Sequence, residues 1–164
     1  MIEPAWSSNW AWSLPLIALT LAIHGLGVTA ITLVMNGLDD LPEARAWPES
    51  STLLFGAAVI GGVGCALAAL HGVEAAIWAV AYLWLGALGS PADAMLFSVD
   101  SITTRGASGL VLERHWQMMG ALEAANGVLL FGISTAFLFV VVERARQAVD
   151  KTVIRRRAVQ DWTA

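Results

Sequence analysis

The sequence has few charged residues and a single cysteine, and both shortages restrict what the chain can be. Charged residues make up 13% of the 164 residues, whereas hydrophobic residues make up 57%. A soluble globular domain carries about a quarter charged residues, so this composition, with its long apolar runs, indicates an all-α integral membrane protein. Cys65 has no second cysteine with which to form an internal disulfide, and its apolar surroundings predict a small buried side chain.

Several functional motifs are also absent. The sequence contains no phosphate-binding loop, nucleophile triad or CxxC pair, so we expect no enzymatic activity and no cofactor. Nothing in it indicates a nucleic-acid partner. The N-terminal stretch MIEPAWSSNWAW lacks Lys and Arg and therefore does not match the basic start of a signal peptide.

Three apolar runs are long enough to cross a membrane, since about 20 residues suffice for one crossing helix. They cover about residues 14–35, 52–88 and 118–142. Trp6, Trp10 and Trp12 precede the first run and fit an interfacial aromatic belt. The second run is ambiguous: one helix of its length would measure about 55 Å, and two helices would need a tight turn near His71. The runs alone leave three spans and four spans open.

The segment between the last two runs is typical of a re-entrant loop. Pro91 and Asp93 favour the start of a helix, and the segment at about 92–103 is too short to cross. A polar, glycine-containing stretch at 104–110 follows. Irregular backbone is tolerated at membrane depth only where protein or a water-filled cavity satisfies its polar groups. We therefore expect a short pore helix and a filter-like loop between the last two spanning helices.

The C-terminal segment is basic. Most of the basic residues of the chain lie there: Arg144, Arg146, Lys151, Arg155, Arg156 and Arg157. The positive-inside rule places this segment in the cytoplasm, and we expect it to contact anionic lipid headgroups. The predicted organisation is a transmembrane domain at 1–142 and a basic cytoplasmic tail at 143–164, in a multi-pass protein of the cell inner membrane.

Residues 98–109 resemble the pore module of tetrameric potassium channels, in which an outer helix, a pore helix, a filter strand and an inner helix follow in order. The pore helix and filter of that family read S-x-x-T-x-T-T-x-G-Y-G-D, and this chain reads SVDSITTRGASG. The chain also resembles small bacterial channel-like proteins of the two-pore-domain type. The matching motifs are H-G-x-G at 24–27, H-x-x-E-x-x-x-W-A at 71–79 and E-A-x-N-G-x-L-L-F-G-x-S-T-A-F-L-F at 123–139. The resemblance implies three spans, a homotetramer and an ion-channel function.

The filter-like loop departs from the family pattern after its first glycine. The loop comprises Thr103, Thr104, Arg105, Gly106, Ala107, Ser108 and Gly109. In a potassium filter, rings of backbone carbonyls replace the water around the ion, and two glycines flanking an aromatic residue permit the required dihedrals. Ala107 stands in the aromatic place and Ser108 in the second glycine place, where a left-handed conformation would cost about 1–2 kcal/mol. We therefore expect weakened or lost potassium selectivity.

Arg105 occupies a position that, by the resemblance, lies behind the filter. A guanidinium cannot deprotonate and must be paired if it is buried. Asp100, five residues earlier, is the expected partner. We expect a buried salt bridge that either supports a drifted loop or takes part in ion discrimination.

Polar residues inside the apolar runs are candidates for function: His24, His71, Glu74, Glu123 and Asn126. His71 and Glu74 are three residues apart and share a helix face, so a mutual hydrogen bond, or a contact with Glu123 or Asn126, is the simplest expectation. His24 and Glu123 could supply further metal ligands, but no dense ligand motif occurs, and we predict no metal.

Two alternatives to an ion channel remain at this stage. One is a non-conducting membrane scaffold or regulatory subunit that keeps the channel fold. The other is a haem-binding electron-transfer bundle with His24 and His71 as axial ligands.

Overall fold

The structure, a computed structural model, describes residues 4–39 and 49–163, and these residues form helices and no strand. Four α-helices follow one another: α1 (Pro4–Asp39), α2 (Glu49–Trp84), α3 (Pro91–Ile102) and α4 (Gln117–Thr163), with a 3₁₀ turn at Arg114–Trp116. Within the described residues, three stretches are long and apolar enough to cross a membrane, at Trp6–Gly37, Leu53–Trp84 and Arg114–Gln147. The all-α class and a multi-pass arrangement of three potential spans are therefore confirmed.

Helix α2 is unbroken through His71, where four spans would have required a turn. It ends at Trp84, short of the predicted end at residue 88, because Gly86 terminates it. Gly86 has φ 67°, its N–H donates to Leu83 O at 3.1 Å, and Ala87 N–H donates to Tyr82 O at 2.8 Å. This is the Schellman arrangement, in which a left-handed glycine lets the last carbonyls find donors.

Helices α1 and α4 extend well beyond the apolar runs that predicted them. α1 begins at Pro4, a residue suited to a first helical turn, so the three N-terminal tryptophans are helical. α4 continues to Thr163, so residue 142 is not the end of a helix. An apolar run shows only which part of a helix can lie in lipid, and the helix can continue beyond it. The Arg, Ala and Gln residues that follow the last run are good helix formers. The side chains of Lys151, Arg155, Arg156 and Arg157 lie outside the described residues.

Helix α3 has the sequence signals of a capped helix. Ser90 is its N-cap, and the Ser90 hydroxyl accepts from Asp93 N–H at 3.4 Å, with Pro91 in the first turn. Ala94, Ser98 and Ile102 are buried on one face of α3, and Asp100 is buried on the other side of the helix. Ser98 therefore contacts the helix core at Glu123, whereas Asp100 contacts the loop that follows α3.

The C-terminal end of α3 lies against the backbone of α4 at Gly127. A Cβ atom on residue 127 would meet the Ile102 carbonyl group, with the carbonyl carbon only 2.8 Å away. Glycine is therefore required at this close approach. By contrast, a Cβ on Gly132, five residues later on α4, would meet nothing within 4 Å.

The described helices form two compact units, each with its own core. The first comprises Met1–Gly27 and Ala68–Ile133, with a core that includes Trp78, Tyr82 and Met119. It contains α3, the filter-like loop and all the polar residues singled out from the sequence.

The second unit comprises Val28–Leu67 and Ser134–Ala164. It packs around Val63, Leu67 and Val141. Cys65 lies in this unit and is exposed in the single chain, so the prediction that it is buried is wrong. Val63 and Leu67 share one face of α2, and a residue two positions from each points the opposite way.

Candidate functional site

The Asp100 carboxylate is the anchor of the filter-like loop. Arg105 Nε donates to Asp100 Oδ1 at 2.6 Å, and Ala107 N–H donates to the same oxygen at 3.2 Å. Ser108 N–H donates to Asp100 Oδ2 at 2.9 Å. Consecutive backbone N–H groups that converge on one anion form a concave nest. The carboxylate thus draws the backbone at 107 and 108 back onto α3.

These donors also determine the charge of Asp100. The Ser108 N–H, then Arg105 and the Ala107 N–H, hold the pKa of the Asp100 carboxyl well below its usual range, against the opposing effect of burial. Asp100 is therefore ionised at neutral pH. The carboxylate and the guanidinium together add no net charge to the loop.

The ion pair between Arg105 and Asp100 is buried at its aspartate and exposed at its arginine, whereas the sequence predicted burial of both. The Asp100 side chain is 5% exposed, but the Arg105 side chain is 58% exposed in the single chain. Arg105 reaches its partner through Nε, so the end of the guanidinium group can remain solvated. The expectation that Arg105 is buried is wrong, because its contact with Asp100 needs only the Nε side of the group.

The left-handed positions of the loop also differ from the family pattern. Positive φ angles occur at Thr104 (55°), Gly106 (62°) and Gly109 (72°), and Ser108 is not among them. The expected strain at Ser108 is therefore absent. The second left-handed glycine falls one residue later than in a potassium filter, and a threonine takes a conformation that usually suits glycine or asparagine.

The segment after the loop is tied to the rest of the first unit by backbone contacts. Glu113 N–H donates to Ala87 O at 3.2 Å. The Asn9 side chain of α1 donates to His115 O at 2.6 Å and accepts from Met119 N–H at 3.0 Å. Asn9 thus holds the start of α4. It was missed in the sequence, where the only signal is an amide among interfacial tryptophans.

His24, His71 and Glu74 form one buried group. His24 Nδ1 lies 2.8 Å from Glu74 Oε1, and His71 Nδ1 lies 3.0 Å from Glu74 Oε2. His24 and Glu74 are fully buried and the His71 side chain is 11% exposed. The hydrogen bond expected between His71 and Glu74 is present, and α1 adds a second imidazole to the same carboxylate.

Glu123 and Asn126 belong to other contacts. Tyr82 donates its hydroxyl to Glu123 Oε2 at 2.6 Å, and Ser98 of α3 contacts Glu123 Oε1. Asn126 donates to Thr20 Oγ1 at 2.8 Å. Tyr82, Ser98 and Thr20 were missed in the sequence because a hydroxyl in an apolar run carries no sign of its partner.

The haem-binding alternative does not fit this geometry. Two axial imidazoles must approach the iron from opposite faces of the macrocycle. The rings of His24 and His71 instead lie 5.2 Å apart between centroids, tilted by 33°. Both direct Nδ1 at the same carboxylate, which leaves no room for a macrocycle between them.

No family model, curated protein or solved structure matches this chain. Function must therefore be inferred from the first unit itself. Its two chemical features are a loop anchored on a buried carboxylate and a buried group of two imidazoles and a carboxylate. The first can order the backbone of the loop, and the second can hold a proton or a cation.

Proposed function

We propose that this chain is an ion-channel-like integral membrane protein, related to potassium channels, with weakened or lost potassium selectivity. The observation that carries the proposal is the short helix α3 and its Asp100-anchored loop, placed in the chain between two long apolar helices. Four copies around one axis would bring four such loops together, as the resemblance to potassium-channel pore modules implies. Homotetramer formation is part of the proposal.

Weak selectivity follows from the loop geometry. A potassium filter needs consecutive carbonyls at fixed spacing. Here the Asp100 carboxylate accepts hydrogen bonds from the N–H groups of Ala107 and Ser108. The left-handed glycines are Gly106 and Gly109. Ala107 offers no aromatic ring to hold the strand apart from α3. These features favour a short or wide opening over a regular ladder of ion sites.

The proposed orientation has the C-terminus in the cytoplasm of the cell inner membrane. The support is the basic C-terminal segment. With three spans, the filter-like loop then faces the opposite side. Anionic lipid headgroups are the proposed contacts of the tail.

The test is ion flux through liposomes that contain the purified full chain. We expect cation flux with no strong preference for potassium over sodium, and little chloride flux. Asp100→Asn should change the flux because the loop loses its anchor. Asp93→Asn makes the same chemical change at an exposed position of α3 and should not. A strong preference for potassium, or an equal effect of both substitutions, would contradict the proposal.

A non-conducting membrane scaffold is the second candidate, and the exposure of Arg105 favours it. Four guanidinium groups near one axis would repel cations if their pairing with Asp100 were incomplete. Flux no greater than that of protein-free liposomes, from protein that remains tetrameric, would support this candidate. Arg105→Gln should then produce flux that the parent lacks.

A further inference from the structure

The His24–Glu74–His71 group combines three metal-ligating side chains on two helices of the first unit. His71 and Glu74 lie one helical turn apart on α2, and His24 reaches them from α1. One ligand atom from each residue can be chosen so that all three lie within 4.8 Å of one another. The ring of His71 also stacks on Phe131, with 4.2 Å between the ring centroids. That stacking restricts where His71 Nδ1 can point.

A bound cation would suit the buried position of Glu74. Glu74 is fully buried in a helix that is apolar enough to cross a membrane. A carboxylate in such surroundings is costly unless a positive charge offsets it. A cation held by the carboxylate and the two imidazoles would supply that charge.

We propose that His24, His71 and Glu74 bind one divalent transition-metal cation of the zinc class. Zinc takes imidazole nitrogen and carboxylate oxygen at about 2.0–2.2 Å in tetrahedral geometry, which separates neighbouring ligand atoms by about 3.3–3.5 Å. His24 Nδ1 lies 2.8 Å from one oxygen of Glu74 and His71 Nδ1 lies 3.0 Å from the other, and one ligand atom from each residue lies within 4.8 Å of the other two, so side-chain adjustments would bring the three around one metal. A water molecule would supply the fourth ligand.

The ligand set decides the class of metal. Magnesium and calcium are bound mainly by oxygen ligands, whereas two imidazoles with one carboxylate suit zinc and its transition-metal neighbours. A metal here would link α1 to α2 within the first unit. This role is separate from ion conduction and holds whether or not the chain conducts.

The test is metal binding by the purified full chain in mild detergent after removal of metals with a chelator. We expect one zinc ion to bind per chain and the thermal midpoint to rise with zinc, because a ligand that binds only the folded state stabilises it. Cobalt in place of zinc should give the intense visible absorption of a tetrahedral site. His71→Gln and Glu74→Gln should each weaken zinc binding by about 100-fold or more, since even outer partners of a metal site contribute 10–100-fold.

His115→Gln is the matched control, because His115 is an exposed histidine outside the group. It should bind zinc as the parent does. X-ray absorption of the zinc-loaded parent does not depend on whether the variants fold. It should show two imidazole nitrogen ligands on the zinc. Absence of zinc binding by the folded parent would overturn the proposal and leave a triad held by hydrogen bonds alone. Sulfur scattering from Cys65, or loss of binding in His115→Gln, would also overturn it.

Discussion

Asp100 shows how one side chain can organise a loop. Its two oxygens accept from the Arg105 side chain and from the N–H groups of Ala107 and Ser108. The Arg105 contact could be predicted from the sequence because a guanidinium in an apolar context needs a nearby carboxylate. The two backbone contacts could not, since they depend on the left-handed turns at Thr104 and Gly106. The ion pair of Asp100 with Arg105 was therefore predictable from the sequence, and its hydrogen bonds to the backbone of Ala107 and Ser108 were not.

Replacing the anchor should release the loop. In Asp100→Asn, one carboxylate oxygen becomes an amide nitrogen, which cannot accept a hydrogen bond, so the N–H of either Ala107 or Ser108 loses its acceptor. We expect amide hydrogen exchange at Ala107 and Ser108 to become several-fold faster. Asp93→Asn, on the exposed first turn of α3, should leave both amides protected. Unchanged exchange in Asp100→Asn would mean that the loop is ordered by something other than this carboxylate.

The same carboxylate predicts a particular pH dependence. Because its pKa is lowered in the folded chain, the ionised form stabilises the fold at neutral pH. This contribution is complete above the ordinary aspartate pKa of about 3.9 and is lost as pH falls toward the lower folded value. The difference in thermal midpoint between the parent and Asp100→Asn should be constant near neutral pH and narrow below about pH 4. Narrowing near pH 6 would indicate a raised pKa instead.

At the scale of the helices, the signals for starts and stops were present in the sequence and were partly overlooked. Pro91 and Asp93 predicted the start of α3 to within a residue, and the Ser90 N-cap was not identified. Gly86 could have predicted the end of α2. The end was placed at Leu88 instead because the apolar run continues to that residue. α4 continues beyond residue 142 because the residues that follow are good helix formers. The prediction missed this continuation because it was based on hydropathy alone.

The junction between α3 and α4 should tolerate no side chain at Gly127. Gly127→Ala would place a methyl group against the Ile102 carbonyl, and displacement of backbone is costly, at about 1–3 kcal/mol for overpacking. We expect a lower thermal midpoint in mild detergent and faster exchange in the adjoining loop. Gly132→Ala, which meets open space, should be neutral or slightly stabilising, because alanine is the better helix former. Equal effects at the two glycines would refute this close contact.

At the scale of the whole molecule, the described residues contain three helices long and apolar enough to cross a membrane. Sequence alone left one long helix or two short ones open for the second apolar run, because nothing in that run marks a turn at His71. The sequence offered His24 as a possible partner of His71 and Glu74 alongside Glu123 and Asn126, and it could not decide among them. The choice depends on the rotation of α1 against α2, which no local pattern in either helix specifies.

An odd number of spans places the two ends on opposite sides of the membrane. A reporter fused after Ala164 should report the cytoplasm, as the basic C-terminal segment indicates. A reporter fused before Met1 should report the opposite side, and one inserted within 40–48 should again report the cytoplasm. Two ends on the same side would contradict three crossings and require that one of the long helices does not cross.

The Asp100 anchor has a consequence for how this loop can change during evolution. It holds residues 107 and 108 by their backbone N–H groups, which every amino acid except proline provides. Side chains at these two positions can therefore change without loss of these two backbone contacts, whereas position 100 is constrained. Under the proposed relation to potassium channels, a lineage with such an anchor could lose the aromatic residue and the second glycine of a filter by neutral substitutions. Return would be difficult, because the carboxylate would hold the backbone in its new form even after both residues were restored.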